Sequence, residues 1–491
     1  MSPKERRKKI SHYRPIKCVG AAYTIGLLSL MAYLLFHPTL TNGKGGVYEY
    51  TKHGNPTAGV ERIFGEPRGD CVHCHDEHAS RDGAPTPGGP YDYLLFKAND
   101  NNLCYTSDGA SACHATTGTS GVYQGLSVYE DSSHATSMEM YWPGPTPLSR
   151  PSSDYGKCLN CHTPHGYKDA LGLIPSQTFS REENLCQTCH DGFPAIDVQS
   201  EITKPYRHPA GDYSGRHSSS EYSPGDFDSL NRHAECEDCH NPHYAKLDVI
   251  TLSPPDASNR VKGVSGVDVI NGAAGSQPSY TYIPPNLGVS YEYQLCFKCH
   301  SSWTIQPGGQ PDMAALFNPN NPSYHPVEAQ GQNTNIDSRA FVNGWAPTDT
   351  VYCNDCHTSD NSSVRGPHGS LYNYILRKNY VKSSDTRTMS PDEICFNCHR
   401  YDTYANNNAS DAVKRYSRFS KHAKHTDKKQ FPCYTCHNSH GSTEYPHLIV
   451  TGRQPGVVSY RKSGGMGYCA GTMGMPKCHM NEKSYEPSYP W

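Results

Sequence analysis

Residues 158–165 read Cys158-Leu-Asn-Cys-His-Thr-Pro-His165, and the C-x-x-C-H motif that opens this stretch recurs through the chain. On one helical turn, residues i, i+3 and i+4 share a face. Two thiols placed there can reach the two vinyl groups of one porphyrin, and the histidine can bind its iron from the proximal side. The pattern therefore predicts covalently attached c-type haem at each motif. The eight motifs are Cys71, Cys74 and His75; Cys158, Cys161 and His162; Cys186, Cys189 and His190; Cys236, Cys239 and His240; Cys296, Cys299 and His300; Cys353, Cys356 and His357; Cys395, Cys398 and His399; and Cys433, Cys436 and His437.

Zinc sites and disulfides are the alternatives for paired cysteines. Zinc fingers use C-x-x-C pairs without requiring a histidine directly after the second cysteine, and all eight motifs have one. Disulfides are plausible in an exported chain, but they do not need that histidine either. Haem explains all three residues of the motif.

Four further cysteines form two motifs with a longer spacing, C-x8-C-H. We interpret both as expanded haem sites, with a loop between the two thioether anchors. The alternative is a disulfide beside an unrelated histidine, and the identical spacing argues against it. With these two sites the predicted total is ten haems, and every cysteine after Cys18 is used. The two sites are Cys104, Cys113 and His114; and Cys469, Cys478 and His479.

The ten motifs alternate between two kinds, which indicates five two-haem repeats, each too small to fold alone. The first kind is followed by another histidine: His78, His165, His243, His368 and His440. The second kind often has an aliphatic residue before its first cysteine: Leu103, Leu185, Leu295 and Ile394. Both C-x8-C-H sites occupy positions where the alternating order calls for a motif of the second kind. The predicted repeats are residues 48–120, 121–195, 196–305, 306–405 and 406–491.

Each repeat also has a histidine upstream of its first motif: His53, His134, His208, His325 and His422. Together with the five downstream histidines they supply ten candidate distal ligands for ten irons. His165 is too close in sequence to fold back over its own haem, so we expect it to bind a neighbouring one. His425 competes with His422 for the distal role. The other histidines left over are His73, His217, His233 and His447.

Composition predicts a loop-rich chain whose core is haem. Only 35% of the 491 residues are hydrophobic, and there are 43 glycines and 38 prolines. We expect a mostly irregular fold with short α-helices, in which closely packed haems replace aliphatic residues and loss of haem unfolds the protein. Ser180 with Glu183 and Ser390 with Glu393 predict capped helices before two of the motifs. A formal charge of −3 gives no case for nucleic acid binding.

The N-terminus predicts export. Residues 1–17 are basic and should stay in the cytoplasm, and residues 18–36 carry no charge. That length suits either a membrane anchor, if it is uncleaved, or the apolar region of a signal peptide. The rest of the chain is then periplasmic, at the cell surface or extracellular.

The segments from Cys158 to His165 and from Cys433 to His440, each followed by Gly, resemble the doubled C-x-x-C-H multihaem cytochromes. The resemblance covers most of the chain from about residue 48. It implies bis-histidine haems and long-range electron transfer in anaerobic or extracellular respiration. Redox proteins and extracellular metals or minerals are then the expected partners, and self-association into haem-lined filaments is open. The chain departs from the common pattern in its C-x8-C-H sites and in inserts at 251–290 and 305–345.

The predicted function is electron transfer rather than catalysis. Two histidines on each iron leave no open position for a substrate. The alternative is a multihaem reductase for nitrite, hydroxylamine or a sulfur compound, which would need one haem with an open distal side. The chain has no C-x-x-C-K variant, and its histidines are in surplus.

Overall fold

The computed structural model describes residues 47–81, 83–105, 113–114, 126–140, 155–165, 183–212, 221–227, 233–306, 309–382, 387–472, 479 and 481–490. The chain divides into two compact bodies, residues 1–96 with 162–173, and residues 97–161 with 174–491. The predicted export segment 18–36 and Cys478 lie outside the described residues. Within the described ranges, no helix has both the length and the apolar character needed to cross a bilayer.

Helices are short throughout the described ranges, as expected for a chain so rich in glycine and proline. One of them, Glu292–His300, reaches nine residues. The other α-helices are Asn101–Cys104, Leu126–Tyr129, Ser133–Thr136, Glu183–Gln187, Cys236–Cys239, Met313–Phe317, Cys353–Cys356, Tyr401–Tyr404 and Asp411–Lys414. The 3₁₀ turns are Val47–Tyr50, Cys71–His73, Glu77–Ala79, Asp92–Leu94, Cys158–Asn160, Glu201–Thr203, Pro224–Phe227, Asn259–Val261, Ser338–Ala340, Asn373–Ile375, Ile394–Asn397, Cys433–Thr435 and Pro446–Leu448, and Lys424–Lys428 is a π-turn.

The strands form small antiparallel sheets. Four pairs have two strands each: Ser80–Arg81 with Ala84–Pro85, Tyr206–Arg207 with Gly369–Ser370, Gly266–Ile270 with Ser279–Ile283, and Ser323–Tyr324 with Gly441–Ser442. The three-stranded sheet is Lys483–Tyr485, Met466–Gly471 and Val457–Ser463, in that order. Two of the two-residue pairings join distant parts of the second body, and they matter for the histidines described below.

The largest apolar cluster lies in the second body and is small for its length. Val267, Phe297, Phe317 and Val327 are each at most 7% exposed and pack together. They come from the 266–283 hairpin, the helix that ends at His300, and the short helix and loop that follow it. The two Gly/Pro-rich inserts thus supply much of this cluster. The predicted fold class, loop-rich with short helices, is confirmed.

The two predicted capping boxes have different outcomes. Glu183 begins the helix before Cys186, but Ser180 lies outside the described residues. Glu393 accepts a hydrogen bond from the Ser390 N–H at 3.2 Å, yet the helix begins only at Ile394. The second box therefore closes a turn ahead of Cys395 instead of opening a helix at Ser390, because the chain remains extended at Glu393.

Candidate haem sites

Each of the eight C-x-x-C-H motifs has its first cysteine in a short helical element, and in three motifs that element also includes the second cysteine. The backbone N–H of the motif histidine donates to the carbonyl of the first cysteine in six of them. These bonds are His75 to Cys71 at 2.9 Å, His190 to Cys186 at 3.0 Å, His240 to Cys236 at 2.8 Å, His357 to Cys353 at 2.8 Å, His399 to Cys395 at 3.0 Å and His437 to Cys433 at 2.9 Å. The same geometry in each motif presents the same three side chains.

The expanded site at Cys104 keeps this bond. The His114 N–H donates to the Cys104 carbonyl at 2.9 Å, although eight residues separate the two cysteines instead of two. The longer spacing therefore keeps the backbone contact between the first cysteine and the histidine. In the other expanded site, Cys469 lies in a strand and the Gly471 N–H donates to the His479 carbonyl at 2.9 Å.

The cysteines are available for covalent attachment. None of the nineteen that the structure describes forms a disulfide, and none is fully buried. A thiol must be reduced and accessible to add to a porphyrin vinyl group.

The motif histidines lie opposite other histidines of the chain. Eight such pairs occur among the described residues, with ring centroids 5.9 to 6.4 Å apart. They are His75 with His165, His190 with His134, His240 with His368, His300 with His208, His357 with His440, His399 with His325, His437 with His422, and His479 with His425.

This spacing fits one metal ion between two imidazoles. A ligating nitrogen is about 2 Å from the metal and about 1.1 Å from its ring centre, so opposed rings have centroids roughly 6.2 Å apart. Burial, with the neighbouring His357 imidazole, lowers the pKa of His440 to about 3. Burial, with the nearby His325, likewise lowers the pKa of His399 to about 3. Both rings are therefore neutral near pH 7, as metal ligands must be.

Three pairs join the first motif of one repeat to the downstream histidine of a later repeat. His75 faces His165 at 6.0 Å, His240 faces His368 at 5.9 Å and His357 faces His440 at 6.1 Å. The rings in these pairs are within 13° of parallel. His165 thus lies against the motif histidine His75, which belongs to a different predicted repeat.

Three other pairs join the second motif of a repeat to an upstream histidine. They are His190 with His134, His300 with His208 and His399 with His325, and their rings are tilted by 83°, 48° and 41°. The two kinds of motif therefore receive their facing histidines from opposite directions along the sequence.

Short strand pairs hold the upstream and downstream histidines side by side. Ser323–Tyr324 runs antiparallel to Gly441–Ser442, and the His325 N–H donates to the His440 carbonyl at 2.9 Å. The side chain of His325 also donates from Nδ1 to the Ser439 carbonyl. The same contact, from Nδ1 to the carbonyl before a downstream histidine, recurs three times: His53 to Pro164 at 3.2 Å, His134 to Pro242 at 2.9 Å and His208 to Pro367 at 2.8 Å.

Glycine is required directly after two of the downstream histidines. A Cβ atom at Gly369 would overlap the Glu201 carbonyl oxygen, and one at Gly441 would overlap that of Leu316. The backbones can approach this closely only without a side chain. The dipeptide His-Gly recurs at 165–166, 368–369 and 440–441, and it could have marked these close approaches in the sequence before the structure was known.

Backbone carbonyls orient the motif histidines as well. His75 donates from Nδ1 to the Tyr93 carbonyl at 2.8 Å, and His357 donates to that of Tyr374 at 2.8 Å. His437 donates in the same way to the His447 carbonyl at 2.9 Å. These bonds leave Nε2 as the ligating nitrogen.

The three accepting residues share a left-handed backbone, with φ of 60°, 64° and 62°. Residues 91–95, 372–376 and 445–449 share the pattern Tyr-x-(Tyr/His)-(Leu/Ile)-(Leu/Ile), which is a second repeat signal that sequence reasoning missed. His447, for which the motifs alone predicted no role, therefore contributes through its carbonyl.

The last repeat is arranged differently. His422 faces His437 at 6.1 Å, and His425 faces His479 at 6.1 Å, so both histidines of one turn have partners. At the other end of the array, His78 is exposed, and no histidine ring in the described ranges lies against it. His73 is buried, and its Nδ1 accepts from the N–H of Arg62 at 3.2 Å.

Several successive attachment sites are adjacent to one another. The Cys296 and Cys353 thiols lie within 4.8 Å of each other, and the Cys104 and Cys395 thiols lie close enough to those of Cys158 and Cys433 to interact. These contacts join the second motif of one repeat to the first motif of the next. Within repeats, thiols of the two motifs are close enough to interact electrostatically: Cys161 with Cys189, Cys239 with Cys299, and Cys356 with Cys398.

Two family models match parts of the chain. The model for outer membrane cytochromes of the MtrC/MtrF-like kind, domains II/IV, matches residues 286–447, and the doubled CXXCH motif matches residues 152–195. No curated protein and no solved structure gives a significant match. Together with the motifs and the fold, the matches define the class: the chain is a multihaem c-type cytochrome, and residues 152–195 are similar to the doubled CXXCH family. Over about a third of its length it is similar to outer membrane cytochromes.

Proposed function

We propose that the chain conducts electrons along ten closely spaced bis-histidine c-type haems and has no catalytic site of its own. Haem c, when bound, supplies a reversible one-electron iron couple. The observation that carries this proposal is the set of eight opposed imidazole pairs at metal-binding separation. Each pair contains one motif histidine and one histidine from outside the motifs.

The proposed distal ligands follow from these pairs. They are His165, His134, His368, His208, His440, His325, His422 and His425. The sequence predicted His78 among the ten and named His425 only as a competitor of His422, but the exposure of His78 and the position of His425 against His479 favour His425 over His78. For the sites of His114 and His162, the predicted candidates His53 and His243 remain.

Ten haems, rather than eight, is supported by the expanded sites. The His114 N–H to Cys104 carbonyl bond reproduces the geometry of the shorter motifs, and His479 faces His425 as other motif histidines face their partners. In each case the motif histidine keeps a contact that the shorter motifs also have, despite the longer spacing between the two cysteines.

Continuity of the conductor is supported by the cysteine contacts. Where Cys296 and Cys353 lie together, the attachment edges of two neighbouring haems are brought together. From Cys239 to Cys433, contacts within repeats alternate with contacts between repeats, which supports a series of cofactors over this part of the chain.

We further propose that the protein is exported and acts in anaerobic or extracellular respiration, with redox proteins and extracellular metals as partners. The uncharged segment 18–36 and the match to outer membrane cytochromes support this. N-terminal sequencing of the mature protein tests it: a start near residues 40–47 indicates a cleaved signal, and an intact N-terminus indicates an anchor.

Haem stoichiometry and spin state together test the electron-transfer proposal. Intact mass of the exported protein should show ten haem additions, and the EPR spectrum of the oxidised protein should be entirely low-spin. Eight additions would exclude the C-x8-C-H sites. A native high-spin signal from a whole haem would favour a reductase with an open iron.

A further inference from the structure

The turn that carries His422 and His425 lies in a strongly basic segment of the chain. Residues 411–429 contain seven lysines and arginines and two acidic residues. The basic residues are Lys414, Arg415, Arg418, Lys421, Lys424, Lys428 and Lys429, and the acidic residues are Asp411 and Asp427.

Part of this charge is used inside the protein. Lys414 forms an ion pair with Asp411 at 3.1 Å, and Arg418 is 8% exposed, with its guanidinium donating to Asn333 at 2.8 Å. Asp427 accepts from the Asn407 N–H at 3.0 Å. These contacts occupy both acidic residues of the segment and two of its basic ones.

Of the remaining basic residues, Arg415 and three lysines are exposed. Lys421, Lys424 and Lys428 are exposed, and none forms an ion pair with a residue that the structure describes. We call these three residues the basic turn. Exposed Arg387 adjoins it, since the Arg387 N–H donates to the Gln430 carbonyl.

The basic turn lies directly beside two proposed iron ligands. His422 and His425 are half-buried, and Ala423 and Thr426 are buried, so one side of the turn faces its histidine partners and the lysines face solvent. The whole chain carries a formal charge of −3, and haem propionates make the loaded protein more acidic. A local positive patch on an acidic protein directs anionic partners to one place.

We propose that the basic turn is the docking surface for an anionic redox partner, which exchanges electrons with the haems of the last repeat. This inference rests on the proposed function. In each transfer to hexacyanoferrate(III), our anionic probe, one ferrous haem becomes ferric and one hexacyanoferrate(III) becomes hexacyanoferrate(II). No bond forms or breaks, and no proton moves.

Stopped-flow oxidation of the fully reduced, haem-loaded protein tests the proposal. At about 10 mM ionic strength, where screening acts over about 30 Å, the triple variant Lys421→Glu, Lys424→Glu, Lys428→Glu should react with hexacyanoferrate(III) about tenfold more slowly than wild type. The difference should vanish near 1 M salt. With the cationic oxidant tris(phenanthroline)cobalt(III), the triple variant should be no slower than wild type.

A control variant with the same change in net charge separates docking from overall charge. Lys52→Glu, Lys262→Glu, Arg365→Glu should slow the anionic reaction far less. Equal slowing in both variants would overturn the proposal, and so would a wild-type rate that rises with salt. The proposal would also be overturned if the triple variant had shifted reduction potentials but the same dependence of the oxidation rate on salt as wild type. That result would mean that the lysines pair with haem propionates and do not bind the partner. Spectra recorded before mixing test the proposed function separately. If the proposed function were wrong, the wild-type protein would already lack part of its low-spin haem at that stage.

Discussion

Replacing His440 by alanine should convert one haem to high spin, and that haem should belong to the preceding repeat. His440 lies three residues after His437 in sequence, yet its ring faces that of His357 at 6.1 Å and 8° from parallel. The variant removes one of two axial nitrogens from one iron. Because a water ligand or an empty position gives a weak ligand field, about one tenth of the iron should become high-spin.

Quantitative EPR of the oxidised protein measures this fraction, and added imidazole should reverse it. His78→Ala is the matched control, since His78 also lies three residues after a motif histidine but is exposed. The control should keep a fully low-spin spectrum.

Two combined variants identify the affected haem. His440→Ala with Cys353→Ala and Cys356→Ala should contain nine haems and lose the high-spin signal, because the affected cofactor is no longer attached. His440→Ala with Cys433→Ala and Cys436→Ala should contain nine haems and keep the signal. The reverse result would refute ligation across repeats, since His440 would then serve its own motif.

Other contacts lead to three further predictions. Gly441→Ala should strongly reduce the yield of folded holoprotein, because the new Cβ overlaps a backbone carbonyl, whereas Gly211→Ala, with open space around it, should express normally. Ser417→Ala removes the hydroxyl that contacts His422 Nδ1 at 2.7 Å. Potentiometric titration should then show one haem shifted to a more positive reduction potential, with all iron still low-spin. An unchanged titration would contradict this. Burial raises the pKa of Glu292 to about 7, so between pH 4.5 and about 7 the carboxyl is protonated in the folded protein and ionised in the unfolded one. The free energy of unfolding of the wild type should therefore fall over this pH range. Urea midpoints measured across the range should show this fall for the wild type and not for Glu292→Gln.

The sequence predicts which residues form the sites because attachment is local. Two thiols and a histidine on one turn need only a helical turn, and the structure has one at each C-x-x-C-H motif. The loop-rich fold class follows for a related reason, since a chain with so few aliphatic residues cannot build long buried elements.

Partner choice was harder to predict because it depends on long-range pairing. Nothing local to His165 selects His75, and the sequence offered His422 and His425 as competitors although each faces a different histidine. Several of these pairings depend on pairs of two-residue strands. The sequence features near these strands are a glycine directly after the histidine and a tyrosine nearby.

The last repeat shows why counting was insufficient. Ten candidates matched ten irons, but His78 is exposed, and His425, which that set of ten left out, faces His479. The turn at 422–425 supplies two facing histidines, His422 against His437 and His425 against His479. A strict repeat pattern expects one histidine at this place and could not have predicted the second one.

The most direct test is an iron-edge anomalous difference map from crystals of the haem-loaded protein. We predict ten iron peaks, eight of them midway between the imidazole pairs described above, including one between His75 and His165 and one between His425 and His479. A peak count of eight, or an iron near His357 without His440 opposite it, would contradict the account.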